Sequence, residues 1–388
     1  MMADSIEHVI SYWVIFQKFH SPALGGFAVL SHWLPFLLFS VHAGALADRY
    51  DARRLIQFGM LLFMGVSLAW GYLFATDTLQ IWHAVVLLII HGIAGVFWNP
   101  PSQLLIHDIV EPHQLQSAVR LNATARYLGL LAGPAVGAGL LLALGPAHGI
   151  FFNALIYLPT ILWLWRAPYG PRFRRGKQAP RPAVRGLADI LSTIRSISTN
   201  PTIVSMILLA GTASLFVGNA YQAQMPGFAH DLGHGRADFS YSMLLAADAA
   251  GALTAGFLLE SRGLLQPKPQ TALLLAIVWC GALIGFALSR VYSLSVAVLF
   301  VAGFTELSFN AMAQALVQMN APEAIRGRVI GLFSMASLGL RTLSGITVGL
   351  TAALIGIHFA LAMSAALLFI AIAALSSFSS RSVLEPRS

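Results

Sequence analysis

Four ionisable side chains interrupt long apolar stretches of this sequence, and each could carry a charge or exchange a proton. They are Arg126, Asp248, Glu306 and Arg341. An ionisable group at the depth of a bilayer costs about 2.5–3.5 kcal/mol, so such residues mark structural ion pairs or functional sites. Two readings stay open: the acids and bases pair into neutral bridges, or Glu306 or Asp248 binds and releases a proton. Glu306 is preferred because Asn310, one helical turn further on, lies on the same face.

Amide side chains at corresponding positions of two apolar stretches are candidates for binding a small molecule. They are Asn99, Gln103, Asn310 and Gln314. Pro100 and Pro101 follow Asn99 and predict a break in the backbone hydrogen-bond ladder. Broken helices often border a ligand cavity in transporters.

Histidines within apolar stretches do not predict a metal site. They are His32, His42 and His91. They do not share one helix face at ligand spacing, and we expect no cysteine or acid beside them. Asp4 and Glu7 are expected to be interfacial, or to lie within the membrane if the chain starts upstream of Met1, and they rank below Glu306 and Asp248.

Composition defines the class of protein that must position these groups. Hydrophobic residues make up 57% of the 388 residues, charged residues 10%, and mean hydropathy is +0.75. A soluble domain carries about 25% charged residues. The sequence therefore predicts an all-α polytopic membrane protein. Its single cysteine, Cys280, excludes a disulfide within the chain.

Apolar stretches of about 20 residues, the length that spans a bilayer as a helix, indicate twelve crossings. The predicted spans are 5–19, 24–47, 55–75, 80–105, 118–143, 148–166, 202–225, 238–259, 271–289, 293–318, 328–353 and 356–378. The first is short and carries four polar or charged residues, so we expect it to be a truncated span, with a re-entrant or interfacial helix as the alternative.

Basic residues fix the expected orientation. If the turn 44–54 is cytoplasmic, most of the 23 lysines and arginines fall in segments on that side. Cytoplasmic loops carry such an excess. We therefore expect a multi-pass protein of the inner (plasma) membrane with both termini in the cytoplasm.

The longest polar stretch predicts a division into two six-helix bundles, 1–167 and 201–388. The segment 168–200 between them is rich in proline and basic residues and includes an expected surface helix over 187–198. Its charge suits the anionic inner leaflet. Nucleic-acid binding is disfavoured because no aromatic platform accompanies the charge.

The two halves correspond at an offset near 212 residues. Gly44 and Asp48 correspond to Gly256 and Glu260, and the four amides named above correspond in pairs. Parallel six-span repeats with a ligand site at their interface are one architecture of secondary transporters.

The turn after the second span resembles motif A of the major facilitator superfamily. It contains Gly44, Asp48, Arg49, Arg53 and Arg54, and Asp51 stands where the family has a second glycine. The resemblance implies that Asp48 interacts with neighbouring helix ends and, with Arg49 and Arg53 as partners, holds the cytoplasmic side closed. The alternative is a solvated turn whose arginines only set the orientation.

A glycine-rich stretch of the fifth span resembles motif C of the antiporter branch of that superfamily. It contains Gly129, Gly133, Pro134 and Gly137. Small residues at this spacing let helix backbones approach closely, and Pro134 is expected to bend the helix. With the segments 21–25, 115–124 and 322–329, this stretch is similar to the exporter group that includes enterobactin and macrolide exporters.

These features together predict a secondary active exporter, a monomer in the bilayer that moves a small amphipathic molecule by alternating access. The proton gradient would drive it, and no cofactor is expected. An importer or uniporter and a transport-inactive truncated homologue remain alternatives. The sequence contains no phosphate-binding loop of the ATPase type, and no nucleophile–base set that would indicate an enzyme.

Overall fold

Helices make up nearly all of the chain that the structure describes. The structure is a computed structural model and describes residues 1–19, 22–170, 187–218, 220–232, 237–262, 267–344, 348 and 351–384, among which no strand occurs. In chain order the α-helices are α1 Met2–Phe19, α2 Pro22–Arg49, α3 Ala52–Ala75, α4 Ile81–Ile109, α5 Leu115–Arg166, α6 Leu187–Ile197, α7 Pro201–Phe216, α8 Ala220–Ala223, α9 Met225–Asp231, α10 Ala237–Arg262, α11 Pro269–Leu288, α12 Tyr292–Asn320, α13 Arg326–Ser334, α14 Arg341–Ser344, α15 Thr351–Ile355 and α16 Ile357–Leu384. A π-helical turn, Met335–Gly339, follows α13.

Seven stretches of the described helices are long and apolar enough to cross a membrane. They are Phe27–Arg49, Ala52–Ala75, Ile81–Ile109, Ala132–Arg166, Pro269–Leu288, Tyr292–Asn320 and Ile357–Ser376. Many of their large apolar side chains are exposed, as expected where lipid rather than water surrounds a helix.

Helix α5 contains the two spans expected over 118–143 and 148–166. Its backbone is helical except at Gly145, which has φ 73° and ψ 173°. Only glycine adopts such a backbone readily, so the break falls where the sequence has Gly145 and then Pro146.

Two expected spans are interrupted. The stretch 202–225 is divided at Gly218, whose φ of 49° ends the helical path after α7. A Cβ at Gly218 would meet the Ser344 side chain at 2.6 Å, so this turn also needs a glycine for close packing. In the stretch 328–353, α13 passes into the π-helical turn and a turn at Leu340 precedes α14, whereas 345–347 and 349–350 lie outside the described residues. A count of apolar residues cannot detect either interruption.

Pro100 and Pro101 each remove a donor from the hydrogen-bond ladder, as expected, but the helix does not end there. Helix α4 runs from Ile81 to Ile109 with both prolines inside it. A proline inside a helix removes a backbone donor without ending the helix in every case, and both prolines of α4 are buried.

The described chain divides into two compact units. Unit one comprises Met1–Glu111, Leu128–Thr193 and Pro322–Met335, and unit two comprises Pro112–Tyr127, Ile194–Ala321 and Ala336–Ser388. The segment 322–335 thus packs with the first half of the sequence, and 112–127 with the second. The six-helix bundles 1–167 and 201–388 stay a prediction. The expected helix over 187–198 is confirmed as α6, whereas 171–186 of the linker lie outside the described residues.

Close helix contacts organise each unit. In unit one, α4 packs on α2 and α3, and Gly92 of α4 lies directly against the Ser31 carbonyl of α2. In unit two, α12 packs on α10 and α11, and Gly303 of α12 lies against the Asp248 carbonyl of α10. Glycine permits such backbone approach between apolar helices.

Candidate functional site

The carboxylate of Asp48 binds the first turn of α13 in unit one. Its Oδ1 accepts a hydrogen bond from the Gly327 amide at 2.5 Å, and its Oδ2 accepts one from the Arg328 amide at 2.9 Å. The first amides of a helix have no partner within the helix, and the helix dipole favours an anion there. Asp48 therefore joins the end of α2 to the start of α13.

Glycines bring the two backbones together at this junction. A Cβ at Gly44 would overlap the Gly327 carbonyl, and a Cβ at Gly331 would overlap the Ser40 carbonyl. Arg328 extends the junction further, because its guanidinium lies 3.2 Å from the buried carboxylate of Asp189 in α6. The motif A residues Gly44 and Asp48 thus join α2 to α13, two helices that are distant in the sequence.

Asp48 contacts a neighbouring helix end, as the resemblance implied, whereas the described contacts of Arg49 and Arg53 are with other groups. Arg53 forms an ion pair with Asp51 at 2.6 Å and donates to the Ala167 carbonyl at 2.6 Å, whereas Arg49 lies over the Tyr50 ring. Both carboxylate oxygens of Asp48 accept hydrogen bonds from backbone amides of α13.

Asp51 gives the turn a helix cap in place of the glycine of the family pattern. It has φ −67°, an ordinary value for any residue, and its side chain accepts from the Arg53 amide at 3.0 Å. Burial raises the pKa of Asp51, but hydrogen bonds from the Arg53 side chain and amide outweigh burial and hold that pKa below its usual value. Arg54, the last arginine of the turn, donates to Gln57 at 2.8 Å.

In unit two, the hydroxyl of Tyr221 lies between the carboxyl groups of Asp248 and Glu306. It is 3.0 Å from Glu306 Oε2 and 3.2 Å and 3.3 Å from the two Asp248 oxygens. Gln222 donates to Asp248 Oδ2 at 3.0 Å. Tyr221 is fully buried, and both acids are 6% exposed.

A count of protons shows why this acid–tyrosine cluster, Tyr221, Asp248 and Glu306, is suited to proton exchange. The hydroxyl has one hydrogen and can donate to only one carboxylate. The contact with the other carboxyl is satisfied if that group carries a proton and donates to the phenol oxygen. One mobile proton between two acids therefore completes the hydrogen bonds of the cluster.

Two arginines act electrostatically on Glu306 of this cluster. Arg341 has the stronger effect on Glu306 and Arg126 the weaker. Arg341 begins α14 and donates to the Ser337 carbonyl at 3.1 Å. The structure thus places all four intramembrane charges predicted from the sequence in one unit.

Sequence reasoning missed Tyr221. The stretch 202–225 reads as one continuous apolar span, in which a tyrosine would be a packing or interfacial residue. The break at Gly218 instead places Tyr221 on the short helix α8. A polar run, Gly218-Asn-Ala-Tyr-Gln222, was the available signal.

The amide candidates fall into two groups. Asn99 Oδ1 accepts from Gln103 at 2.6 Å, and both approach the Ser334 hydroxyl of α13 in unit one. In unit two, Asn310 donates to the Glu306 backbone carbonyl at 3.0 Å, and Gln314 is half-buried one turn further on. Ser334 is a further residue that sequence reasoning did not identify.

Helix α1 packs directly against the glycines of the motif C-like stretch. A Cβ at Gly129 would meet the Met2 nitrogen at 2.9 Å, one at Gly133 would meet Ser5 at 2.5 Å, and one at Gly137 would meet Ile6 at 3.1 Å. Pro134 is exposed within the same helix.

The expectation that no acid accompanies the histidines of the apolar stretches is wrong. His91 of α4 lies 2.7 Å from a Glu7 oxygen through Nδ1 and 2.8 Å from an Asp4 oxygen through Nε2. Both acids are on α1, and Glu7 is only 1% exposed. Spacing along one helix could not detect this cluster, because its members come from different helices.

Comparison with known proteins identifies the family. The family model described as transmembrane secretion effector, MFS_3, matches residues 2–385. The chain belongs to this family of the major facilitator superfamily. It is therefore a membrane transporter and not an enzyme, which confirms those two predictions.

Relatives and solved structures agree with this assignment. The transporter is 26% identical to the enterobactin exporter EntS of Shigella boydii over 306 residues, which cover 75% of this chain and 68% of the relative, and is equally similar to EntS of Escherichia coli. The E. coli fucose:proton symporter FucP superimposes with a TM-score of 0.73 at 12% identity, over 97% of this chain and 96% of the other. The proton:xylose symporter XylE gives 0.73 at 18% identity, over 97% and 92%. These structures confirm the predicted all-α fold.

Proposed function

We propose that this transporter is a proton-coupled exporter of a small amphipathic molecule, of the drug or siderophore type, that works by alternating access. The observation that carries the proposal is the Tyr221 hydroxyl shared by Asp248 and Glu306. The inner membrane as its location, cytoplasmic termini and a monomeric state are parts of the same proposal.

The acid–tyrosine cluster is the proposed proton site. Protonation of one carboxyl lets the Tyr221 hydroxyl donate to the other, and loss of that proton leaves one hydroxyl between two anions. The second state is disfavoured away from water unless a cation approaches, and Arg341 and Arg126 are the cations that act on Glu306. Proton binding and proton release therefore favour different arrangements of the two acids and the arginines. Coupling of proton movement to transport requires such a difference.

Export is favoured over import by two features. The glycine-rich stretch with Gly129, Gly133 and Gly137 resembles motif C of the antiporter branch, and the relatives are described as enterobactin exporters. The substrate-binding candidates are Asn99, Gln103, Asn310 and Gln314. Asp48 is the proposed gate, because its two hydrogen bonds hold α2 against α13.

Transport into inverted membrane vesicles tests the proposal. With a panel of enterobactin, macrolides and amphipathic dyes, we expect accumulation of at least one compound that an uncoupler abolishes. Glu306→Gln should remove accumulation driven by a pH gradient while substrate exchange without a gradient persists. The matched control is Glu323→Gln, which changes an exposed acid outside the acid–tyrosine cluster.

Two results would contradict the proposal. Unchanged pH dependence in Glu306→Gln would remove Glu306 from the proton site. Uncoupler-sensitive loss of compound from the vesicles would indicate import.

A further inference from the structure

A cluster of three histidines and one aspartate in unit one has no role in the function proposed above. It comprises Asp4, His8, His32 and His91, and one potential ligand atom from each lies within 4.8 Å of all the others. The residues come from α1, α2 and α4. We propose that this histidine–aspartate cluster binds a single divalent transition-metal ion of the Zn²⁺ type.

The ligand set and its dimensions fit such an ion. Zn²⁺ takes four nitrogen or oxygen ligands at about 2.0–2.2 Å in a tetrahedron, which places ligand atoms roughly 3.3 Å apart. Asp4 Oδ1 and His91 Nε2 are already 2.8 Å apart, and the His8 ring centroid lies 4.8 Å from those of His32 and His91. Small side-chain rotations would bring the four atoms to one ion.

One ring nitrogen in the cluster is available as a ligand. His8 Nε2 is buried and has no hydrogen-bond partner among the described residues. A buried polar atom without a partner is destabilising, and a metal ion would satisfy it.

The surroundings of His91 supply the outer contacts that metal sites need. Glu7 accepts from His91 Nδ1, and the Ser67 hydroxyl and Asn153 continue the chain of hydrogen bonds. A carboxylate on the other nitrogen of a ligating histidine orients the ring and fixes which nitrogen binds the metal. The Phe63 ring packs against His91 on another side, at 4.8 Å between centroids.

Charge compensation favours a divalent ion over a proton. Asp4 and Glu7 carry two negative charges when ionised, and a single imidazolium at His91 neutralises one of them. A divalent ion with neutral histidines neutralises both. The ion takes the place of the proton between His91 Nε2 and Asp4, and that proton leaves to solvent.

The proposed ion would hold three helices together. Four protein ligands leave no open position for water or substrate, which is typical of structural sites. Imidazole and carboxylate ligands without a thiolate favour Zn²⁺, with Co²⁺ as a spectroscopic substitute. This site is independent of the proton site, so either proposal can fail alone.

Metal titration of the purified full chain tests the inference. The protein is prepared in detergent with an affinity tag free of histidine, stripped with a chelator and titrated with Co²⁺. We expect one Co²⁺ per chain, with the intense visible absorption of a four-coordinate ion, and displacement by Zn²⁺. Less than one ion per chain, or the weak absorption of six-coordinate Co²⁺, would overturn the proposal.

Substitutions assign the ligands. His8→Ala and His32→Ala should each weaken Co²⁺ binding by more than about 100-fold, and Glu7→Gln by about 10- to 100-fold. His42→Ala, on the same helix as His32 but outside the cluster, should bind as the unsubstituted protein does. Melting of each metal-free variant shows whether it is folded. A folded His32→Ala variant that binds Co²⁺ at full affinity refutes the assignment.

Discussion

Asp48→Asn should release the contact between α2 and α13. Both Asp48 oxygens accept from backbone amides of α13, at 2.5 Å and 2.9 Å. An asparagine has one acceptor oxygen, so one amide loses its partner and faces an NH₂ group instead. The change also removes a negative charge from a helix N-terminus.

The expected magnitude follows from these losses. A hydrogen bond to a charged group contributes about 1.5–3 kcal/mol, and a charge at a helix terminus about 0.3–1 kcal/mol. One lost hydrogen bond and the lost charge together weaken the contact by about 2–4 kcal/mol. Since about 1.4 kcal/mol is a factor of ten, the ratio of separated to joined helices should rise roughly 30- to 700-fold.

Thiol labelling measures this change. Ala47 is 4% exposed and packs beside Ile330 of α13, so a cysteine there is protected while the helices are joined. In a Cys280→Ser background, maleimide should label Ala47→Cys at least tenfold faster when Asp48→Asn is also present. The control is Asp51→Asn. It alters the same turn, but at a residue that caps α3 rather than α13. Equal labelling rates with and without Asp48→Asn, or an equal increase with Asp51→Asn, would refute the proposal that Asp48 holds α2 against α13.

Two further substitutions test the proton site and the α1 contact. Tyr221→Phe removes the hydroxyl shared by the two acids and should slow pH-driven accumulation in inverted vesicles about tenfold or more. The reason is that each hydrogen bond to a charged group contributes about 1.5–3 kcal/mol. An unchanged rate would remove Tyr221 from the proton site. Gly133→Ala places a methyl group 2.5 Å from Ser5 and should destabilise the fold by about 1–3 kcal/mol, seen as a lower melting temperature. Gly139→Ala, with nothing within 4 Å, is its control, and equal melting of the two variants would show that α1 does not pack there in solution.

Properties that depend on one continuous segment could be predicted from the sequence. The helix α6 and the break of α5 near Gly145 both follow from local composition. The motif A turn was located for the same reason, because its glycine, acid and arginines are neighbours in the chain. The prolines of α4 interrupt its hydrogen-bond ladder but not its helical path, and local sequence could not show that the helix continues.

Side-chain partners could not be predicted, because they depend on how separate helices are rotated and aligned. Asp48 was expected to contact a neighbouring helix end, but which one could not be predicted: it binds amides about 280 positions further along the chain. His91 was read as an isolated histidine, but two acids of α1 reach both of its nitrogens.

Hydrophobicity and spacing alone determined that this protein is an all-helical membrane protein, since the thickness of a bilayer sets the length of each apolar stretch. The resemblance to motif A, and not composition, indicated a transporter. Tertiary structure alone decided which polar groups meet. Glycines at a few helix crossings bring helix backbones into contact and so fix how neighbouring helices are aligned. That alignment brings Tyr221 to two acids, and Asp48 to the start of α13. An apolar medium cannot solvate these polar groups, so each must find its partner on another helix.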